Sequence, residues 1–179
     1  SYRNIELIIV DDASTDGSQA IAKKLGEKHN LRTILLPENQ GNCRAFNTGF
    51  AMSKGQFLID LAADDVLLPE RIELGVKALQ DKDPAYGVNF CDIELISENG
   101  KSLGTHFQRD VEGKLIQTVA DGDMYALLLE KYYISTPTML MRREVLEKLG
   151  GYDENLSYED FDFWIRSARD YKYCYTDQV

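Results

Sequence analysis

Along residues 5–80, short apolar runs alternate with amphipathic stretches of helical period, and few folds accept that rhythm. Ile5–Val10 is apolar, rich in branched side chains and stopped by Asp11, which reads as a strand buried on both faces. The turn and cap cluster Ser14-Thr15-Asp16-Gly17 then leads into a helix over 19–29, with Ile21 and Leu25 as its buried stripe. A strand over 31–36 ends at Pro37, and a helix over 41–53 turns Ala45, Phe46, Gly49 and Phe50 inward. A third strand covers 56–61. Pro69 opens a helix over 70–80 that buries Ile72, Val76 and Leu79. Later the pattern changes. Residues 86–97 and 101–107 read as strands joined by Glu98-Asn99-Gly100, followed by helices over 124–133 and 160–170 and a short strand over 138–142. In the last helix Phe161, Trp164, Ile165 and Ala168 are expected inside. The expectation is one α/β domain over residues 1–179 with a mixed, mostly parallel sheet flanked by helices.

In an open α/β sheet, ligands bind beyond the carboxyl ends of the strands. Acidic pairs fall at such places: Asp11-Asp12 after the first strand and Asp64-Asp65 after the third. A further pair, Glu159-Asp160, opens the last helix. The net charge of −10 excludes a nucleic-acid partner, because phosphate backbones need a basic face. An acidic chain can still hold a phosphorylated ligand through a cation, and adjacent carboxylates attract a hard divalent ion such as Mg²⁺ or Mn²⁺. Asp64-Asp65 suits that role, and suits equally a helix cap. Asp11-Asp12 fits either a strand-to-helix turn or an acceptor for base and ribose groups. Glu159-Asp160, followed by Phe161, Phe163 and Trp164, fits either an acidic first turn or a general base beside apolar rings.

Arg142, Arg143 and Arg166 are read chiefly as surface ion-pair partners, and His29 and His106 as structural. The three cysteines lack a pairing or metal-binding spacing and read as free thiols. No apolar run reaches the length of about 18 residues that a membrane span needs. No GxGxxG turn follows a strand, which removes a dinucleotide-dependent oxidoreductase. A phosphorylation receiver could use Asp11-Asp12 but leaves the two later acidic pairs unexplained.

Read in order, the chain resembles glycosyltransferase family 2, enzymes of the GT-A fold. The matching segments are Ile8-Ile9-Val10-Asp11-Asp12-Ala13-Ser14-Thr15-Asp16-Gly17-Ser18, Asn39-Gln40-Gly41 with Asn47-Thr48-Gly49, and Ser53-Lys54-Gly55-Gln56-Phe57. Asp64-Asp65 with Pro69, Pro137-Thr138 with Arg142-Arg143, Gly151-Tyr152-Asp153-Glu154, and Glu159-Asp160 through Arg166 complete the set. The resemblance implies a Rossmann-like nucleotide-diphospho-sugar transferase fold. Residues 1–85 would form its nucleotide-binding half and residues 86–179 its acceptor side. It implies that Asp12, with Asp11, reads the nucleobase, usually uracil, and that Asp64, with Asp65 beside it, holds Mn²⁺ or Mg²⁺ on the donor diphosphate. Asp160 would be the catalytic base of an inverting transfer to a carbohydrate or lipid-linked acceptor. The implied setting is cell-envelope polysaccharide synthesis in the cytoplasm, at the inner membrane face through peripheral association.

The sequence departs from the family at three places. Ala62 stands where the family often has an acid, with Asp60 two residues back. Phe46 stands where many relatives carry Arg, with Arg44 two positions off. The family's opening strand, ending in Pro-x-Tyr-Asn, and its following helix are not in this sequence. An N-terminally truncated copy is therefore expected, with a gap between the strands at 5–10 and 56–61. Rearrangement of the sheet or pairing with another chain would close it. A non-catalytic nucleotide- or carbohydrate-binding remnant of the same fold is the alternative reading.

Overall fold

The computed structural model describes residues 2–179. Strand β1 (Ile8–Asp11) pairs in parallel with β2 (Arg32–Leu35), and helix α1 (Ser18–His29) crosses between them. Helix α2 (Asn42–Met52) leads to β3 (Phe57–Leu58), α3 (Arg71–Gln80) and β4 (Tyr86–Phe90). A hairpin of β5 (Glu94–Ile96) and β6 (Ser102–Thr105) follows, then α4 (Tyr125–Glu130). The chain ends with β7 (Leu140–Arg142), α5 (Arg143–Leu149), α6 (Asp160–Ala168) and β8 (Lys172–Tyr175).

The larger sheet has the order β3-β7-β4-β8, with β7 antiparallel to both neighbours and β8 parallel to β4. The β1–β2 ladder stands apart from it, so the interruption expected between the first and third strands is present. The core lies around the larger sheet. Val88, Phe90, Met141, Phe163, Trp164 and Tyr173 are fully enclosed there, and α3 closes the opposite face with Val76 and Leu79.

Several sequence expectations need correction. The expected strand over 5–10 is not buried on both faces: Ile5 and Leu7, more than half exposed, precede β1, and Ile8, Ile9 and Val10 within it are half-buried against α1, α2 and β2. On α1 the inward face is Ala22 and Gly26, while Ile21 and Leu25 point outward. The run 86–97 is two elements, since the chain leaves the larger sheet after Phe90 and re-pairs only from Glu94. In α6 Phe163 faces the core and Phe161 is exposed. α5 and β8 carry readable signals that the reading passed over. One is Val145, Leu146 and Leu149 ending at Gly150, and the other is the aromatic run Tyr171 to Tyr175. Cys43, Cys91 and Cys174 are free thiols, and all three are buried.

Candidate functional site

The loop after β1 is built by its own carboxylates. Asp11 accepts a bond from the Ser14 amide at 2.9 Å. Burial alone would raise the Asp11 carboxyl, but bonds from Ser14 and Gln19 outweigh it and hold the group below the usual carboxylate range. Asp12 reaches across to the loop before α2 and accepts the Gln40 and Gly41 amides, each at 2.8 Å. Gly41 caps α2 with φ 92° and ψ 156°, a region open essentially to glycine alone, so the Asn39-Gln40-Gly41 match has a backbone cause. Ala13 between these elements holds a left-handed φ of 60°. The two acids therefore shape the loop, and each carboxylate oxygen keeps a second lone pair for a ligand.

From α2 a polar chain leads towards the other acids. Asn47 accepts the Tyr152 amide at 2.9 Å and donates to the Tyr152 carbonyl and to Glu154. The Tyr152 ring stacks on Phe46 at 4.1 Å, which gives Phe46 a packing role. Arg44 is paired with Glu154 at 2.8 Å. The Tyr152 hydroxyl is buried, finds no partner of good geometry, and faces the Asp60 carboxyl at the end of β3. Burial, then the charge of Glu159, pushes Asp60 up to about 6. Glu159 is the residue before α6, so Asp60, Tyr152 and the Glu159-Asp160 pair form one neighbourhood.

Asp160 begins α6. Its Oδ1 accepts the Phe161 amide at 2.7 Å, and its Oδ2 accepts the hydroxyl of Tyr132 and lies 3.4 Å from Thr136 Oγ1. An open cleft lined by Leu156, Tyr158, Phe161 and Ile165 continues along the same helix. Tyr132 and Thr136 escaped the sequence reading, and Tyr152 entered it only within the segment Gly151-Tyr152-Asp153-Glu154, without a role of its own. No spacing signal joins residue 132 to residue 160, since the contact exists only once α4 has packed on α6.

Asp64 and Asp65 occupy an exposed loop between β3 and α3. Partial burial, then repulsion from Asp64, raises the Asp65 carboxyl. Two adjacent oxygen donors that repel one another fit a hard divalent ion completed by phosphate and water. Ala62 adds no third carboxylate, and no group of three or more metal-capable side chains is found among the described residues. The arginines are structural: Arg142 donates to the Tyr86 carbonyl at 2.8 Å, Arg143 to Gly55, and Arg166 pairs with Asp162 at 2.7 Å.

The sequence pattern of Glycosyl transferase family 2 matches residues 1–150. This chain belongs to glycosyltransferase family 2. It is 31% identical over 170 residues to an uncharacterized glycosyltransferase of Rickettsia prowazekii, covering 94% of this chain and 51% of that protein. It is 32% identical over 157 residues to an uncharacterized glycosyltransferase of Nostoc, covering 83% of this chain and 45% of the other. The chain thus spans about half the length of these relatives. Among solved structures it is similar to the mannosyltransferase PcManGT of Pyrobaculum calidifontis in complex with GDP-Man and Mn²⁺. That match has a TM-score of 0.65 and 22% identity, over 97% of this chain and 46% of the other. It is also similar to TarS 1-349 of S. aureus in complex with UDP, with a TM-score of 0.61 and 21% identity, over 96% of this chain and 51% of the other. The shared fold is GT-A, the α/β class expected from the sequence. No helix among the described residues is long and apolar enough to cross a membrane.

Proposed function

We propose that this chain carries the donor site and the base of an inverting glycosyltransferase that moves a sugar from a nucleotide diphosphate, a UDP-sugar, to an acceptor hydroxyl. Residues 1–85 supply the nucleotide side and residues 86–179 the acceptor side. The acceptor is a carbohydrate or lipid-linked glycan met in the cytoplasm at the inner membrane face. The nucleobase and ribose lie against the loops at 11–16 and 39–41, where Asp11 and Asp12 offer their remaining lone pairs. Asp64 and Asp65 hold Mn²⁺ or Mg²⁺. When bound, that ion supplies positive charge against the charge growing on the departing diphosphate.

One observation carries the reading of Asp160. Its carboxylate enters none of the ion pairs found among the described residues, yet it is fixed by hydrogen bonds at a helix start beside an open cleft. An uncompensated, oriented carboxylate is what a general base requires. Asp160 takes the proton of the acceptor hydroxyl as that oxygen forms a bond to the anomeric carbon. The bond from this carbon to the diphosphate oxygen breaks, the electron pair leaves with the nucleotide, and the configuration inverts.

Titration calorimetry with UDP, with and without Mn²⁺, tests the donor site on the wild type and on Asp64→Ala. Metal-dependent binding that the substitution abolishes is the expected result, and equal binding by both proteins refutes the site. The lack of a third carboxylate at Ala62 favours a second reading, a binding module without turnover. Asp160→Asn separates the two, because loss of turnover with intact UDP binding fits only the enzyme.

A further inference from the structure

Among the described residues no cation pairs with Asp160, so its direction rests on neutral donors. Phe161, the next residue, provides an amide to Oδ1, a bond that any carboxylate at a helix start can make. Only Oδ2 is reached from elsewhere in the fold, by the Tyr132 hydroxyl beyond the end of α4 and by Thr136. Tyr132 stands edge-on against Trp164 at 4.7 Å, and Trp164 is fully buried, so the phenol leans on a fixed wall. The residue as a whole is 61% exposed. Its hydroxyl meets the Asp160 carboxylate oxygen and, beside it, Thr136.

We propose that Tyr132, supported by Thr136, is a positioning residue for Asp160, holding one carboxylate oxygen so that the group presents a constant face to the acceptor hydroxyl. The proposal rests on Asp160 being the base. Burial, and then the bond to Asp160, pushes the Tyr132 hydroxyl up to about 12, so it remains a donor wherever the enzyme is assayed. Glu159, on the same turn as Asp160, acts on Tyr132 and also on Asp60 beyond β3. Glu159 and Asp60 are kept when Tyr132 is changed. A surface tyrosine that merely decorates the fold and one that aims a base differ in what its removal does to the chemistry.

The test compares wild type, Tyr132→Phe and Asp160→Asn in nucleotide release from UDP-glucose and GDP-mannose with Mn²⁺, over a range of pH. Asp160→Asn should lose on the order of a hundredfold in turnover. Tyr132→Phe should lose about tenfold in kcat with KM for the donor little changed, and the acid limb of its pH profile should move to higher pH, because a donor to the carboxylate is gone. Unchanged kcat and an unmoved profile in Tyr132→Phe, beside an inactive Asp160→Asn, overturn the positioning role and leave the base in place. Full turnover in Asp160→Asn overturns the base reading and this proposal together. A substrate-free measurement follows Tyr132 by ring ¹³C NMR, where ionisation should fall from about 12 in Asp160→Asn. No change there shows that the contact does not exist in solution and also overturns the proposal.

Discussion

A buried carboxyl with a raised affinity for its proton ties stability to pH, and Asp60 is that group here. Its folded value of about 6 stands above the ordinary 3.8, first because burial penalises the charge and then because Glu159 is near. The folded protein therefore keeps a proton that the unfolded chain releases. The associated stability is complete below about 3.8 and is lost as pH rises through about 6. With the partial solvent access of this side chain discounted, the loss is roughly 2 kcal/mol. Asp60→Asn should raise Tm at pH ~8 by about 5 °C and leave it unchanged near pH ~4. Parallel melting curves of wild type and variant across that range would remove the linkage. Asp12 makes a different prediction, because its oxygens accept the Gln40 and Gly41 amides at 2.8 Å. Asp12→Ala strands both donors at the start of α2 and should cost about 1–2 kcal/mol in urea unfolding, with Asp12→Asn recovering part of it. A neutral Asp12→Ala would make the carboxylate a ligand group without a structural share.

Between elements, Arg71 is the joint to probe. It is 3% exposed at the first turn of α3, and donates to the Asn89 carbonyl on β4 and to the Thr138 carbonyl just before β7. Among the described residues no carboxylate pairs with it and its Nη1 lacks a partner, and burial lowers the guanidinium from its ordinary value. Arg71→Ala should destabilise by about 3–4 kcal/mol through the cavity and the orphaned carbonyls. Arg71→Met keeps the volume and discards the buried charge, so it should recover at least about 1 kcal/mol of that in denaturant unfolding. Equal losses in the two variants would place the whole effect in the hydrogen bonds. Arg71 also shows why parts of the molecule were hard to read from sequence. Its position before Ile72 and Leu74 looks like an exposed helix start, and only the register of β4 and β7 encloses it. The elements themselves were legible wherever period and caps agreed, as on α3 with Val76 and Leu79 inside. Of the acidic pairs, Asp11-Asp12 and Glu159-Asp160 do fall at element ends, whereas the expected strand over 56–61 is only Phe57–Leu58 and leaves Asp64-Asp65 in the loop beyond it. Faces were misassigned where neighbours are few, as at Ile21 and Leu25, because periodicity reports an apolar stripe and not whether anything covers it. Tyr132 and Tyr152 join the site through packing between distant segments, which local sequence cannot encode.

At the scale of the whole molecule, the division between the sheets sets where the protein should open first. β1 has β2 as its ladder partner and β3 has β7, with no ladder joining the two groups. Residues 5–35 are held to the rest by contacts that include Val10 against Gly49 on α2, Asp12 on the Gln40 and Gly41 amides, Glu6 on the Lys54 amide at 2.8 Å, and Arg32 on the Met52 carbonyl. Ile5, Leu7, Ile21 and Leu25 gain little from folding because they stay 41–63% exposed. By contrast β4, β7 and β8 are threaded through a core in which Val88, Leu140 and Tyr173 are at most 1% exposed. Local opening follows the density of buried apolar contact, so the first block should open at lower free energy than the second. Native-state hydrogen exchange read by mass spectrometry should show peptides from 5–35 exchanging well before those from 86–90, 140–142 and 172–175. A ligand that binds only the closed form of the first block must slow its exchange by mass action. If the nucleotide lies against the loops at 11–16 and 39–41, saturating UDP with Mn²⁺ should protect 8–41 strongly and leave the larger sheet almost unchanged. Uniform exchange over both blocks would show that the two sheets open as one. UDP protection confined to the larger sheet would move the donor site away from Asp11 and Asp12.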